Sequence, residues 1–501
     1  MNKKQLYDSY QQEKGEFHHY IDNVKRSSPW DIYTIINPTL IKNPYESSLP
    51  KSFFLNNVRE VNNTALFIKN LLKFYLINSY LLVSYLIAFV IYKLYYKKRV
   101  RDELEIIIDT FGLVDNVNKN GEFNENYLTG IYELFEKYNT NYAILLRPCQ
   151  FAKNPFKLRH FFKIISQDKR DFIFEYELLK LSDFFTLLSL MLLYPFKTLR
   201  LLQKEVSKED KIFNHSLLVD IKYFSFDSLT RYILGKNLSK IDSIEKIFSW
   251  SEFQVIERSF NYAIRKNSQK IELKALQFFL NYEVYFNSYV DDLDDDMLSA
   301  PHEIFVNGKY YIQNRERVKY SIGVSLRYEN IFRFKRQKDG EKILLLGSYI
   351  ELDTKYMLES IKGFDNVLFK SHPVVDIKRF GELPKNITVS NDDIYKLFEN
   401  SKLVIGTASG TSVEAVACGI SVIIIASQNN LTANSLVGHG KGKIWDIVFE
   451  KEELKGAINT LLEFRKSNPH EIDSISTWYK DNFFAEPTDK GIVKVFGMNK
   501  D

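Results

Sequence analysis

An α/β architecture in two parts is what this sequence predicts, and three observations carry it. Short apolar runs alternate with helix-like stretches, as in a parallel sheet joined by crossover helices. Near residue 340 the alternation breaks off and restarts more cleanly. The 501 residues are too many for one ordinary hydrophobic core.

In the first part, WDIYTIINP (30–38) and ELEIIID (103–109) read as strands. YLTGIYELFEKY (127–138) reads as a helix, followed by a strand NYAILLRP (141–148). Strand KIFSW (246–250) runs into QVIERSFNYAIRKN (254–267), which is apolar along one helical face. The acidic stretch DDLDDDMLSAPHE (291–303) interrupts the pattern. So many aspartates also suit a metal site, but a solvated surface loop is the expectation.

In the second part, EKILLLGSY (341–349) is a buried strand, with ELDTKYMLESIKGF the helix after it. NVLFKSHP (366–373) is a strand and its C-terminal loop, NITVS (386–390) a short strand, and DDIYKLFENS (392–401) a helix with an Asp cap. KLVIGTASG (402–410) is a strand and loop, TSVEAVACG (411–419) a helix ending on Gly419, and SVIIIAS (421–427) the next strand. This order predicts a doubly wound, Rossmann-like domain, whose ligands sit outside the carboxyl ends of the strands.

Bulk properties narrow the class. About 45% of residues are hydrophobic, which marks a folded protein, and 68 basic against 63 acidic residues leave a net charge of +5. That near balance argues against nucleic acid as a partner. Two cysteines, Cys149 and Cys418, make neither a disulfide framework nor a Cys-rich zinc site, which fits a reducing compartment. The start, MNKKQLYDSYQQEKGEF, lacks the apolar core of a secretory signal.

Two apolar segments stand out, FYLINSYLLVSYLIAFVIY (74–92) and FFTLLSLMLLYPF (184–196). The first is long enough to span a bilayer. However, it is rich in Tyr and Ser, and bases flank it on both sides: Lys69 and Lys73 before, Lys93, Lys97, Lys98, Arg99 and Arg101 after. Lys197, Arg200 and Lys204 follow the second. Elements lying in the membrane interface are the expectation, with buried core helices and a true membrane span as the alternatives.

Two loops at strand ends carry the chemistry. FKSHP puts Lys370, His372 and Pro373 at the end of one strand. GTASGTS leads into a helix N-terminus, where free backbone N–H groups and the hydroxyls of Ser409, Thr411 and Ser412, with Gly410, suit an anion; a simple helix cap is the other reading. Glu414 lies one turn on, where it could accept bonds from a ribose. No Gly-Lys-Ser/Thr occurs, and no G-x-G-x-x-G with a following ribose-binding acid, so ATPase and NAD-enzyme readings weaken. A nucleotide phosphate leaving group is the implied ligand.

These residues carry a resemblance. The chain resembles a GT-B glycosyltransferase, which implies two Rossmann-like domains facing a cleft. Phe-Lys-Ser-His-Pro (369–373), followed by Ser-Gly-Thr-Ser-Val-Glu-Ala (409–415) and Gly419, is similar to bacterial surface-carbohydrate enzymes that use CMP-activated sialic acid or Kdo. In those, the His-Pro histidine and the Ser/Thr loop hold the CMP phosphate. WSEFQVIE (250–257) resembles a Trp-x-Glu-x-Gln-x-x-Glu pattern of the surface carbohydrate biosynthesis family, followed there as here by Asn-Gly-Lys (307–309). The sialyltransferases' Asp/Glu-Asp-Gly motif is not evident, so their base cannot be transferred.

The resemblance implies an N-terminal acceptor domain over 1–330, including both apolar segments, a nucleotide-sugar domain over 331–480, and a tail or return helix over 481–501. Inverting transfer needs a base from the N-terminal domain. Glu252, just past the strand KIFSW, is the first candidate and Asp109, at the end of ELEIIID, the second; Gln254 would orient acceptor or sugar. No metal or other cofactor is expected. The expected protein is a membrane-associated transferase on the cytoplasmic face of the inner membrane. It would pass a nonulosonic acid or Kdo from CMP to a capsule, lipopolysaccharide or other lipid-linked glycan. The alternatives are a CDP-glycerol- or CDP-ribitol-type polyol-phosphate transferase, a UDP-sugar-dependent GT-B transferase or epimerase, and a scaffold without activity.

Overall fold

Two parallel sheets organise the computed structural model, which describes residues 2–55, 63–96, 104–112, 122–148, 154–335, 340–428 and 430–498. Cys149 and the bases Lys97, Lys98, Arg99 and Arg101 lie outside the described residues. The first sheet contains β1 (Ile106–Gly112), β2 (Tyr142–Pro148), β3 (Phe172–Phe174), β4 (Lys246–Trp250), β5 (Glu272–Gln277), β6 (Glu303–Val306) and β7 (Lys319–Ile322), in the order β3-β2-β1-β4-β5-β6-β7. The second contains β8 (Lys342–Leu346), β9 (Val367–Lys370), β10 (Ile387–Val389), β11 (Ser401–Gly406), β12 (Ser421–Ile425) and β13 (Trp445–Val448), in the order β10-β9-β8-β11-β12-β13. Every pairing in both is parallel.

The strands explain this layout. Those at the sheet centres are apolar throughout, as strands covered on both faces must be: ILLL of β8 and VIII of β12 are buried along their length. In each sheet the order reverses once, between β1 and β4 and between β8 and β11. Such a reversal opens a crevice at the strand C-termini. The structure therefore has the two doubly wound α/β domains that the resemblance implied.

The chain crosses between the domains more than once. The helix Lys3–Ser27 lies against both: Lys3 Nζ donates to the Phe449 carbonyl and Glu450 of the second domain, while Lys14 and Tyr10 reach Glu283 of the first. At the other end, the helix Asp489–Phe496 returns to the first sheet, with Phe496 against Phe248 (ring centroids 5.0 Å) and Phe135 (5.9 Å). One apolar cluster is continuous between the domains, joining Ala275, Leu280 and Ile304 to Leu344, Val404 and Val413.

Two sequence expectations are corrected. WDIYTIINP is two short helices, Ile32–Ile35 and Pro38–Ile41, in place of a strand. Asp31 accepts from the N–H of Tyr33 and Thr34, Asn37 accepts from Thr39, and Pro38 stands at a first helical turn, so local caps override the β-branched composition. The aspartate run is a helical turn, Asp292–Asp296, in place of a solvated loop. Its Asp294 is buried and holds Lys25 Nζ at 3.0 Å and Arg258 at 2.6 Å.

The two apolar segments form the helices Asn63–Tyr95 and Leu181–Thr198, long and apolar enough to cross a membrane by length and composition. Both lie against the first domain. Phe74, Ala88 and Phe89 of one and Leu187 and Met191 of the other belong to its core.

Candidate active site

The two crevices face each other. On the first domain β4 ends at Trp250, and the chain turns through Ser251, Glu252 and Phe253 into the helix Val255–Asn267. Phe253 makes that turn with φ +55° while its ring is fully buried. A non-glycine residue in this region is uncommon, and it turns the chain from β4 into the helix. Gln254 Nε2 donates to Glu252 Oε2 at 3.0 Å, and Asn287 Nδ2 donates to the Glu252 carbonyl at 2.9 Å. Burial pushes the half-buried Glu252 carboxyl above the usual range, against the pull of the Trp250 indole, Arg147, Gln254 and Arg327.

The rest of the Trp-x-Glu-x-Gln-x-x-Glu stretch builds the support. Glu257 accepts from the Gln254 N–H at 3.0 Å in a capping box, and from Arg147 at 2.7 Å. Arg147 also donates to the Trp250 carbonyl at 2.6 Å. Asp109 lies beneath, fully buried. It accepts from Arg231 at 2.6 and 3.2 Å and from the Ser249 hydroxyl at 2.6 Å, and it pairs with Arg147 Nε at 3.2 Å. The geometry therefore puts Asp109 in a buried ion-pair network and Glu252 at the crevice.

On the second domain β11 ends at Gly406, and Thr407, Ala408 and Ser409 lead to Gly410 and the helix Thr411–Ala417. Ala408 has φ +48°, so a positive-φ residue stands just past β11 as Phe253 does just past β4. Gly410 is fixed by the other domain: a Cβ there would stand 3.0 Å from the Leu280 side chain. The helix has no side-chain cap, and the hydroxyls of Thr407 and Ser412 are buried without a hydrogen-bond partner among the described residues. Glu414 accepts from the Tyr395 hydroxyl at 2.7 Å, and burial raises its carboxyl against Tyr395, Arg327 and Thr411.

The FKSHP loop ends β9. His372 Nδ1 accepts the Val374 N–H at 3.3 Å, and burial lowers its pKa. Both effects favour a neutral ring carrying its proton on Nε2. Pro373 is exposed, and the Lys370 ammonium is bonded to the Asp392 carbonyl at 2.7 Å, beyond β10. Lys370 thus sits at the sequence position expected of it, with its charge turned toward the sheet edge.

Several residues that the sequence did not single out join the two sides. Arg327, in the segment between the sheets, is walled in on most sides yet open to solvent, as a cleft-lining side chain is. It stands over the rings of Tyr127 (5.1 Å), Trp250 (5.9 Å) and Tyr328 (5.9 Å), in the field of both Glu252 and Glu414. It makes no ion pair or hydrogen bond among the described residues. The Gly410 backbone N–H and the Glu252 charge both act on the Tyr282 hydroxyl. Tyr285 bonds to Tyr349, and Tyr349 packs against His372 with ring centroids 5.8 Å apart. Glu46 comes from the N-terminal extension; burial and the charges of Glu257 and Glu252 push its carboxyl up to about 7, and its Oε2 has no partner among the described residues. None of these belongs to a short motif, and the only signal was the tyrosine spacing in NYEVYFNSYV (281–290). Among the described residues, no group of three or more His, Cys, Asp or Glu side chains is disposed to hold a metal ion.

Fold and site together define a two-domain α/β protein with a polar interdomain cleft at the carboxyl ends of both sheets. No family model matches the chain, and no curated protein does. Solved structures similar to it include the Neisseria meningitidis UDP-GlcNAc 2-epimerase bound to UDP-GlcNAc, at 11% identity and a TM-score of 0.43, over 79% of this chain and 100% of that one. A second is the Methanocaldococcus jannaschii UDP-GlcNAc 2-epimerase in complex with UDP-GlcNAc and UDP, at 13% identity and a TM-score of 0.42, over 79% and 99%. A third is the wall teichoic acid polymerase TagF, at 10% identity and a TM-score of 0.38, over 88% and 98%. At this distance the chemistry has to be read from the side chains themselves.

Proposed function

We propose that this protein is a glycosyltransferase that uses a nucleotide-activated sugar, with Glu252 as the base and the donor phosphates held from the second domain. The observation that carries the reading is Arg327, a cation without an ion pair among the described residues, which stands over Tyr127 and Trp250 and lies in the field of both Glu252 and Glu414. A guanidinium in such a cleft serves a bound phosphate by bidentate bonding.

The chemistry follows from the residues. The acceptor hydroxyl gives its proton to the Glu252 carboxylate as its oxygen bonds to the anomeric carbon. The bond from that carbon to the phosphate oxygen breaks, and its electron pair leaves with the nucleotide. Charge growing on that oxygen is met by Arg327, by the His372 Nε2–H and by the hydroxyls of Ser409 and Thr411, while the Ser412 hydroxyl is buried beneath them. Burial that raises the Glu252 pKa brings the base nearer to working pH, where proton transfer is most efficient. Gln254, bonded to Glu252, orients it. Arg327 and His372 offer two separate donors, which suits a diphosphate better than a monophosphate. A UDP-sugar is therefore favoured over the CMP-sugar of the sequence resemblance, and a surface or lipid-linked glycan is the acceptor.

One observation favours a second reading. Glu46 and Glu252 bring two carboxyl groups of raised pKa to the same crevice. A paired acid and base of that kind also suits proton removal and return on one sugar, the chemistry of an epimerase.

Calorimetry with UDP, UMP, CDP and CMP tests the reading, on the wild type and on Arg327→Ala and His372→Ala. Nucleotide binding weakened at least tenfold by Arg327→Ala is expected. No binding of any nucleotide, or binding indifferent to both substitutions, overturns it. Product analysis then separates a glycoside from a phosphodiester or a free epimer.

A further inference from the structure

We infer that the outward faces of the helices Asn63–Tyr95 and Leu181–Thr198 form a single docking surface for an anionic lipid bilayer, on which the first domain lies flat. The inference does not depend on the proposed reaction.

The first helix bears an unbroken exposed apolar stripe. Leu72 is 61% exposed, Leu76 75% and Leu94 74%, with Tyr80, Val83, Ile87 and Val90 between them at helical spacing. The second helix carries Leu181 at 60%, Phe185 at 72% and Phe196 at 53%. The helices pack on each other, so the stripes adjoin. The Tyr75 hydroxyl donates to the Leu192 carbonyl at 2.8 Å, and Phe89 meets Phe184 at 5.2 Å. Scattered exposed apolar residues are ordinary on soluble proteins, but two adjoining stripes of this length are an interaction surface.

The opposite faces fix how that surface meets its partner. Asn70 Nδ2 donates to the Leu218 carbonyl at 2.9 Å, the Tyr85 hydroxyl to Asp227 at 2.6 Å, and Lys93 Nζ to the Glu177 carbonyl at 2.9 Å. These bonds tie the first helix along its length to the folded domain. A perpendicular crossing would tear it away, so the helix axis runs along the bilayer plane. At 1.5 Å per residue its 33 residues make a footprint about 50 Å long.

Charge selects lipid over a second copy of the chain. The first helix contains no acidic residue, and the exposed Lys69 and Lys73 stand in its N-terminal third beside the apolar stripe. Lys197 lies in the last turn of the second helix, Arg200 just past it is paired with Asp31 at 2.6 Å, and Asp183 is bonded to the Lys180 N–H and to Asn237. An apolar face rimmed by bases complements anionic headgroups over acyl chains. Two copies face to face would bring these basic rims together.

Vesicle flotation tests this with the full chain and liposomes of phosphatidylcholine alone or mixed with phosphatidylglycerol. The wild type is expected to float with the anionic vesicles, at least tenfold less with neutral ones, and less as salt rises. Leu76→Glu/Phe185→Glu alters only exposed side chains; it should abolish flotation while leaving the melting curve and nucleotide binding unchanged. Lys73→Glu/Lys197→Glu should remove the preference for anionic lipid. Flotation unchanged by both double variants overturns the inference. So does a stable dimer in solution that Leu76→Glu/Phe185→Glu dissociates without any vesicle binding by the wild type.

Discussion

The Tyr285 hydroxyl and the Tyr349 hydroxyl share a hydrogen bond that crosses from the first domain to the second. Both rings stand edge-on to Tyr45, at 5.1 and 5.5 Å, and Tyr349 backs His372 at 5.8 Å. The N-terminal extension thus completes a three-tyrosine clamp behind the histidine of the FKSHP loop. Tyr349→Phe leaves the Tyr285 hydroxyl without this partner, which is expected to cost about 1–3 kcal/mol. Denaturant unfolding measures that loss; the ring against His372 is kept, so KM for the donor should change little. A loss too small to measure would show that the hydroxyl pair does not hold the domains.

Two carboxylates that the sequence could not separate should part under mutation. Asp109→Asn takes the counter-charge from Arg147 and Arg231 in a site without solvent, and removing one member of a buried ion pair costs roughly 3–5 kcal/mol. Glu252→Gln keeps shape and hydrogen-bonding capacity at the crevice, so the melting temperature should hold while kcat falls by about 10²–10⁴. Thermal melts read beside steady-state rates make the comparison. A stable but inactive Asp109→Asn would move the base to Asp109.

The difference between these residues marks how far the sequence could be read. Strands β1, β2, β4 and β8–β12 were legible because each is a short apolar run bounded by turn residues. The strands β3, β5 to β7 and β13 went unread: β3 is three residues long, and β5, ELKALQ, carries charge in its interior. The strand-end addresses of Glu252 and the 409–414 loop were also legible, since they follow from strand order alone. Burial was not. Nothing local in ELEIIID says that Asp109 meets two arginines, one of them 122 positions away at Arg231. Arg327 and Glu46 owe their positions to long-range packing, which brings a linker and an N-terminal extension to one cleft. Lys370 shows the converse: its position was legible, but its hydrogen bond to the Asp392 carbonyl was not.

The paired backbone twists at Phe253 and Ala408 give a third expectation. Left-handed geometry costs an L-residue roughly 1–2 kcal/mol. Ala408 loses only a methyl group on substitution by glycine, so Ala408→Gly should be neutral or stabilising by up to about 1 kcal/mol and keep nucleotide binding. Phe253 has the same twist but a ring wholly inside the interdomain core. Phe253→Gly should therefore lose about 3–5 kcal/mol, because core packing outweighs backbone relief. Chemical denaturation of the two variants decides it. Equal effects would mean that the twist alone governs both positions.

Glu46 sets a pH dependence whose sign can be worked out. Burial and the nearby charges of Glu257 and Glu252 hold its pKa at about 7, against 4.5 for an ordinary glutamate. Between those values the folded protein keeps a proton that the unfolded chain has released, so Glu46 makes stability fall as pH rises from 4.5 to 7 and adds nothing further above 7. At 1.36 kcal/mol per unit the full effect is on the order of 3 kcal/mol. Glu46→Gln abolishes it, so the variant should match the wild type near pH 4 and exceed it in stability at pH 8, as urea titrations at the two pH values would record. The Glu252 charge helps to raise Glu46, so Glu252 ionises first, while Glu46 still holds its proton and carries no charge. Glu46→Gln should therefore leave the acidic limb of the kcat/KM profile in place. A limb that moves to lower pH would mean that Glu46 is already charged where Glu252 titrates.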